Sequence, residues 1–234
     1  MTLDVNVGMF LCTEDEGWGG ECQEQLLADI NATLRQLGMP EHREPRTLAE
    51  IDPPLDPETD PCLLGARLGF YGSEKYQRLA DFARHLAALG AVPPADHPYD
   101  ALAEQRYNDL PDRRLAFDHV IATATGMDTV VLPQQFDEVT YGTDRPVAHG
   151  LLVSAHRLRI ESVMLGYAFR YADSRGDDWI SDSVLDDESF AHLNARIEDD
   201  PDVKQAWANE ADLCHRLLSA ATDVLHSGAL GITG

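Results

Sequence analysis

His149 and His156 stand seven residues apart with Glu161 further on, and two imidazoles with a carboxylate make a donor set for Zn²⁺ or Fe²⁺. The spacing matches no established metal-binding motif such as H-E-x-x-H. They are therefore weak metal candidates, and no metal or cofactor is expected. Glu188 and His192 are four apart on an expected helix and would share a face, as an acid/base pair must. A solvated helix face is the commoner explanation for such a pair. The run Asp173-Ser174-Arg175-Gly176-Asp177-Asp178-Trp179 has the carboxylates and glycine of a cation loop. It departs from the EF-hand pattern, which needs acids at positions 1, 3 and 5, Gly at 6 and Glu at 12. Cys214 and His215 are neighbours on a helix, so their side chains diverge by about 100° and form no nucleophile–base pair by themselves. Gly17-Trp18-Gly19-Gly20 lies between a strand and a helix, where phosphate-binding turns occur. Glu14, Asp15, Glu16 and Glu21 surround it and repel a phosphate, and neither G-x-G-x-x-G nor a P-loop lysine is present.

The same acids suit recognition better than catalysis. Trp18 sits among Glu14, Asp15 and Glu16, and Trp179 beside Asp177 and Asp178, with Asp186 and Asp187 close behind. An aromatic ringed by carboxylates is a good anchor for a cationic protein. The whole chain carries this bias: 41 Asp and Glu against 18 Lys and Arg give a net charge of −23 on 234 residues. Such a charge favours solubility, repels nucleic acid and anionic membrane, and steers basic partners inward. A GC-rich genome or a salt-adapted surface would leave a similar composition, with arginine replacing nearly all lysine.

The elements that must position these groups alternate irregularly. Leu3, Val5, Val7, Met9 and Leu11 alternate as a strand with one buried face. Leu26, Leu27, Ile30, Leu34 and Leu37 make the apolar stripe of a helix over 21–37, ended by Gly38. Residues 39–61 hold six prolines and read as a stiff surface excursion. A strand is expected within 63–71, then a helix over 74–89 with Tyr76, Leu79, Ala83 (or Phe82), Leu86 and Leu89 inward and Gly90 as its stop. A short helix near 99–109 follows. Strands are expected at 115–122, 129–132 and within 147–154, and a helix at 155–165 stopped by Gly166. Residues 173–202 contain eleven acidic and two basic side chains and one short helix near 187–198. A long helix over 202–227 ends at Gly228, and the tail 229–232 reads as an addition to a sheet edge.

The expected fold is α/β or α+β: one mixed sheet of about five to six short strands flanked by about five to six helices. One domain is expected over 1–234, with the Pro-rich acidic loop at 39–61 and the acidic segment at 173–202. There is no signal-peptide pattern, no run long enough to span a membrane and no C-x-x-C pair, so a cytoplasmic protein with reduced thiols is expected. The first functional expectation is a protein-binding module, an inhibitor or immunity-type protein that neutralises a basic partner by electrostatic complementarity, with no nucleic acid and no membrane among its partners. Immunity proteins enter on charge alone, since no family motif supports them. The alternative is a metal-dependent hydrolase or other enzyme built on His119, His149, His156, Asp118, Asp177 and Asp178.

Overall fold

The computed structural model describes residues 4–11, 20–52, 54, 58, 65–67, 73–125, 129–141, 150–169 and 205–233. In chain order the elements are β1 (Asp4–Val7), α1 (Gly20–Gln36), β2 (Gly65–Arg67), α2 (Ser73–Leu89), α3 (Ala101–Asn108), α4 (Asp118–Thr125), β3 (Val130–Leu132), β4 (Thr140–Tyr141), β5 (Leu151–Ser154), α5 (Ala155–Ala168), α6 (Ala208–Ser227) and β6 (Gly231–Thr233). The fold is α+β. Its one mixed sheet has the order β2-β1-β6-β3-β5-β4. Among the described strands only β3 and β5 pair in parallel; β1–β2, β1–β6, β3–β6 and β4–β5 are antiparallel.

The pleat sends alternate side chains to two apolar layers. On one face Met9, Val130, Leu132, Leu152 and Leu230 meet the α1 stripe Leu26, Ile30 and Leu34. On the other, Val5, Val7, Val131 and Val153 meet residues of α2, α4, α5 and α6, among them Phe82, Val120, Leu158, Leu217 and Val224. Gly231 lies in this sandwich where a Cβ would come within 3.1 Å of both Val224 and Val5, so the central strand approaches α6 closely because it has no side chain there.

Helices with a strong apolar stripe form where the pattern puts them. The glycines expected to end α1, α2 and α6 have φ of +69°, +62° and +65°, the left-handed conformation of a helix C-terminus. Leu37 alone leaves its stripe and is 44% exposed.

Four expectations need correction. The strand expected at 115–122 is instead a turn followed by α4. Phe117 takes φ +57°, and Glu161 accepts the backbone amides of His119 and Val120 at 2.9 and 3.0 Å, satisfying the donors of a helix N-terminus. A β-like apolar pattern is overridden by a carboxylate more than forty residues away. The strand expected over 3–12 stops at Val7, because Gly8 turns the chain with φ +87° and the Met9 amide goes to Glu44 instead of a neighbouring strand. Gly166 does not stop α5; it is buried inside that helix, which runs to Ala168. The C-terminal tail is no edge addition, since β6 lies between β1 and β3 near the middle of the sheet. The two-residue β4 was not expected at all; a pair of residues carries no readable period.

The first part of the Pro-rich stretch is stapled down rather than looped away. The Asn31 side chain donates to the His42 carbonyl at 3.0 Å and accepts its amide at 2.6 Å. Glu44, fully buried, accepts from the Met9 amide at 2.9 Å, the Leu230 amide at 2.8 Å and His42 Nε2 at 2.6 Å. One carboxylate thus ties residues 42–44 to the end of β1 and the approach to β6.

Candidate protein-binding surface

Where the cations go decides what the surface presents. Arg78 pairs with Glu210 (2.7 Å), Arg84 with Asp81 (3.0 Å), Arg157 with Glu161 (3.4 Å), and Arg113 grips both oxygens of Asp118. At the exposed level Arg35 pairs with Glu41 (2.9 Å), Arg46 with Glu24 (2.6 Å) and Arg114 with Asp112 (2.7 Å), and Arg216 makes a part-buried pair with Asp212 (2.8 Å). The Arg114 guanidinium holds the Asp112 carboxyl down at about 2. The exposed pairs add little stability. Their consequence is electrostatic: these eight arginines are neutralised within the chain, and among the described residues carboxylates remain in excess of cations.

Several of the surplus acids lie on the described surface, such as Glu21 on α1, Glu74 on α2, Asp96 before α3, Asp109 after it, and Asp137 and Glu138 before β4. A shallow groove lined by Phe10, Glu21, Glu24, Gln25 and Arg46 opens at the start of α1. There the Arg46 guanidinium stacks 4.3 Å over the Phe10 ring.

The acids singled out from the sequence fall elsewhere. Glu14, Asp15, Glu16 and Trp18 lie between Leu11 and α1, and Asp177, Asp178, Trp179, Asp186 and Asp187 between Phe169 and Trp207; all nine are outside the described residues. So are His149, Glu188 and His192. Together the undescribed residues hold 18 of the 41 acidic side chains and only five of the 18 basic ones.

The structure does describe where these acidic stretches join the body. Residues 170–204 leave from Phe169 and return at Trp207. Phe169 stacks on Phe82 at 4.2 Å, and Trp207 meets Phe82 edge-on at 4.9 Å. Arg78 lies 4.9 Å over the Trp207 ring and donates to the carbonyls of Ala95 and Ala206 as well as to Glu210. Both ends of the most acidic stretch are thus held in one aromatic clamp with a buried ion pair. The stretch 12–19 starts instead beside Gly8, whose amide donates to the Leu230 carbonyl at 2.9 Å just past the C-terminus of α6. Trp207 is the N-cap of that same helix. Its twenty residues span about 30 Å, so the two acidic stretches join the body at points about that far apart. No sequence signal marks the clamp, because Phe82, Phe169 and Trp207 lie far apart along the chain and meet only on folding.

Of the groups considered for catalysis, Asp118, His119 and Glu161 are committed to structural contacts, while His149, Asp177 and Asp178 lie outside the described residues. Asp118 takes the Tyr107 hydroxyl and the Arg113 guanidinium, which stacks 4.4 Å over the Tyr107 ring. Burial and this carboxylate push the Tyr107 phenol well above its usual range. Buried His119 pairs through Nδ1 with Glu161 at 3.1 Å. Glu161 therefore serves α4 and not His156, which is half-buried at the start of α5. Among the described residues no three His, Cys, Asp or Glu side chains gather as a metal site requires. Cys214 is a core thiol whose pKa is driven up by burial, and Cys22 is a free, exposed thiol. Among the described residues no helix is long and apolar enough to cross a membrane.

A family model described as "Putative DNA-mimic protein" matches residues 1–230. Comparison with curated proteins and with solved structures finds no match. The family match overturns two expectations. An immunity-type inhibitor of a basic partner was inferred from charge alone and a hydrolase from scattered His and Asp; the family points instead to mimicry of DNA. The expectation of no connection with nucleic acid is corrected as well, because the family is one of DNA mimics. Two like-charged polyanions that repel each other attract the same proteins. Matched over all but its last four residues, this chain belongs to the DNA-mimic family.

Proposed function

We propose that the protein occupies the DNA-binding face of a DNA-binding protein, presenting carboxylates where the duplex presents phosphates. The observation that carries this reading is the match between charge and length. Duplex DNA carries one negative charge per ~1.7 Å, so a net charge of 23 corresponds to about 39 Å of duplex, a little over one turn. The acidic stretches join the body about 30 Å apart along α6, a comparable distance. The internal pairing of the arginines supports the reading too, since it leaves few cations to interrupt the negative field. Within it, Glu14, Asp15, Glu16, Asp177, Asp178, Asp186 and Asp187 supply charge, and Trp18 and Trp179 supply ring surface for contact. The partner is the basic, groove-reading face of a protein that otherwise holds DNA.

The experiment is competition. DNA-binding proteins held on an immobilised duplex of about 12 base pairs, the length that carries this net charge, are challenged with the chain at low and at physiological salt. Release of those proteins by the chain, steeply weakened by salt and reduced by changing Asp177, Asp178, Asp186 and Asp187 to Asn, is the expected result. Unchanged retention, or equal release by polyglutamate of the same total charge, would refute mimicry.

A further inference from the structure

Phosphate-like charge is what DNA offers everywhere; the structure also carries an apolar feature at one place on the surface. Among the described residues only three large apolar side chains are strongly exposed, Leu37 (44%), Tyr99 (47%) and Leu102 (50%), and two of them stand together at the start of α3. Neither is loose. The Tyr99 hydroxyl donates to Glu104 at 2.8 Å, which pins the ring against the first turn of α3. The Asp100 carboxylate caps that turn by accepting the amides of Leu102 and Ala103 at 2.8 and 3.4 Å. Beneath, Ala103 and Tyr107 are buried, so the helix carrying the pair is fixed to the body. A side chain already held in its binding conformation loses little entropy on contact, which is how aromatic hot spots gain strength.

The surroundings specify the occupant. Asp96, Asp100 and Glu104 each lie within three residues of Tyr99 or Leu102 along the chain, and Asp109 ends the helix. The patch also adjoins the root of the acidic stretch 170–204. Arg78 donates to the Ala95 carbonyl at 2.8 Å and to the Ala206 carbonyl at 3.4 Å, and Ala95 is four residues from Tyr99, at most about 14 Å of chain. A second copy of this chain would bring its own −23 to the same place and be repelled. We infer that Tyr99 and Leu102 are the apolar anchor for a basic amphipathic helix of the partner, with Asp96 and Glu104 receiving its cations. This rests on the DNA-mimic reading and deepens it. Helices that enter the major groove meet an apolar group there, the thymine methyl, beside the charged backbone. The Tyr99–Leu102 pair supplies that apolar element in a larger form, on a helix fixed to the body.

The test uses two helical peptides of about 18 residues, identical in their Arg and Lys and differing only in having Leu or Gln on the opposite face. Binding to the full chain is followed by fluorescence anisotropy. The Leu peptide is expected to bind about tenfold more tightly than the Gln peptide. Tyr99→Ser with Leu102→Ser should abolish that advantage and leave the Gln peptide unaffected, while Leu37→Ser changes neither. Equal affinity of the two peptides, an advantage that survives the double substitution, one that Leu37→Ser also removes, or a dimer that the double substitution dissociates would overturn the anchor. The Gln peptide reports on the carboxylates alone: if it binds and the Leu peptide gains nothing, the anchor fails while mimicry stands. If neither peptide binds, both fail.

Discussion

Glu44 is the side chain on which the junction of the Pro-rich stretch with the sheet most depends, and its removal has a cost that can be worked from the contacts. Glu44→Ala leaves the Met9 and Leu230 amides buried without an acceptor and His42 without its partner. Each orphaned buried amide costs about 1–3 kcal/mol. The wild type already bears the penalty of burying a carboxylate, and the substitution relieves part of that. The net loss should be about 3–5 kcal/mol, a large share of the ~5–15 kcal/mol that stabilises a typical domain. For a chain of this size that corresponds to a fall in Tm of about 6–20 °C, at roughly 2–4 °C per kcal/mol. Glu44→Gln keeps one carbonyl oxygen and turns an amide group toward the other donor, so it should cost about half as much. Urea unfolding followed by circular dichroism at an unchanged m-value measures both. Amide hydrogen exchange adds a local readout: Met9 and Leu230 should lose protection before the rest of β1 and β6. A loss below about 1 kcal/mol for Glu44→Ala, or unaltered protection at those two amides, would refute the assignment of Glu44 as the tie between these segments.

Two further outcomes are expected. Gly8→Ala places a Cβ at φ +87° and within 2.6 Å of Leu11, so it should destabilise by about 1–3 kcal/mol and, because Leu11 leads into the stretch 12–19, weaken partner binding as well; denaturant titration and the competition assay check the two effects. Burial lowers the His85 pKa below 6.5 despite Asp100 at 3.9 Å, so the unfolded chain takes up this proton at higher pH than the folded one. That contribution to stability is complete above the unfolded value near 6.5 and is lost as pH falls toward the folded value; an NMR titration should place His85 below 6.5, and His85→Gln should flatten the slope of stability between pH 6.5 and the folded value.

Much of what matters here was present in the order of residues alone. The net charge is a property of composition; read alone it suggests an immunity-type inhibitor with no tie to nucleic acid, which the family match corrects to DNA mimicry. The stripes of α1, α2 and α6 and the glycines that end them are local patterns, set within a few turns of chain, and the structure reproduces them. Tertiary contacts decided the rest. Residues 118–122 look β-prone in isolation and become α4 because Glu161 caps them from α5. The tail 231–233 is too short to show a period, and it becomes a central strand because β1 and β3 offer it hydrogen bonds on both sides. The Phe82–Phe169–Trp207 clamp and the Glu44 tie join residues up to 186 positions apart. Local periodicity encodes how an element turns its faces; it holds no record of which distant donor, ring or strand will meet that face once the chain closes on itself.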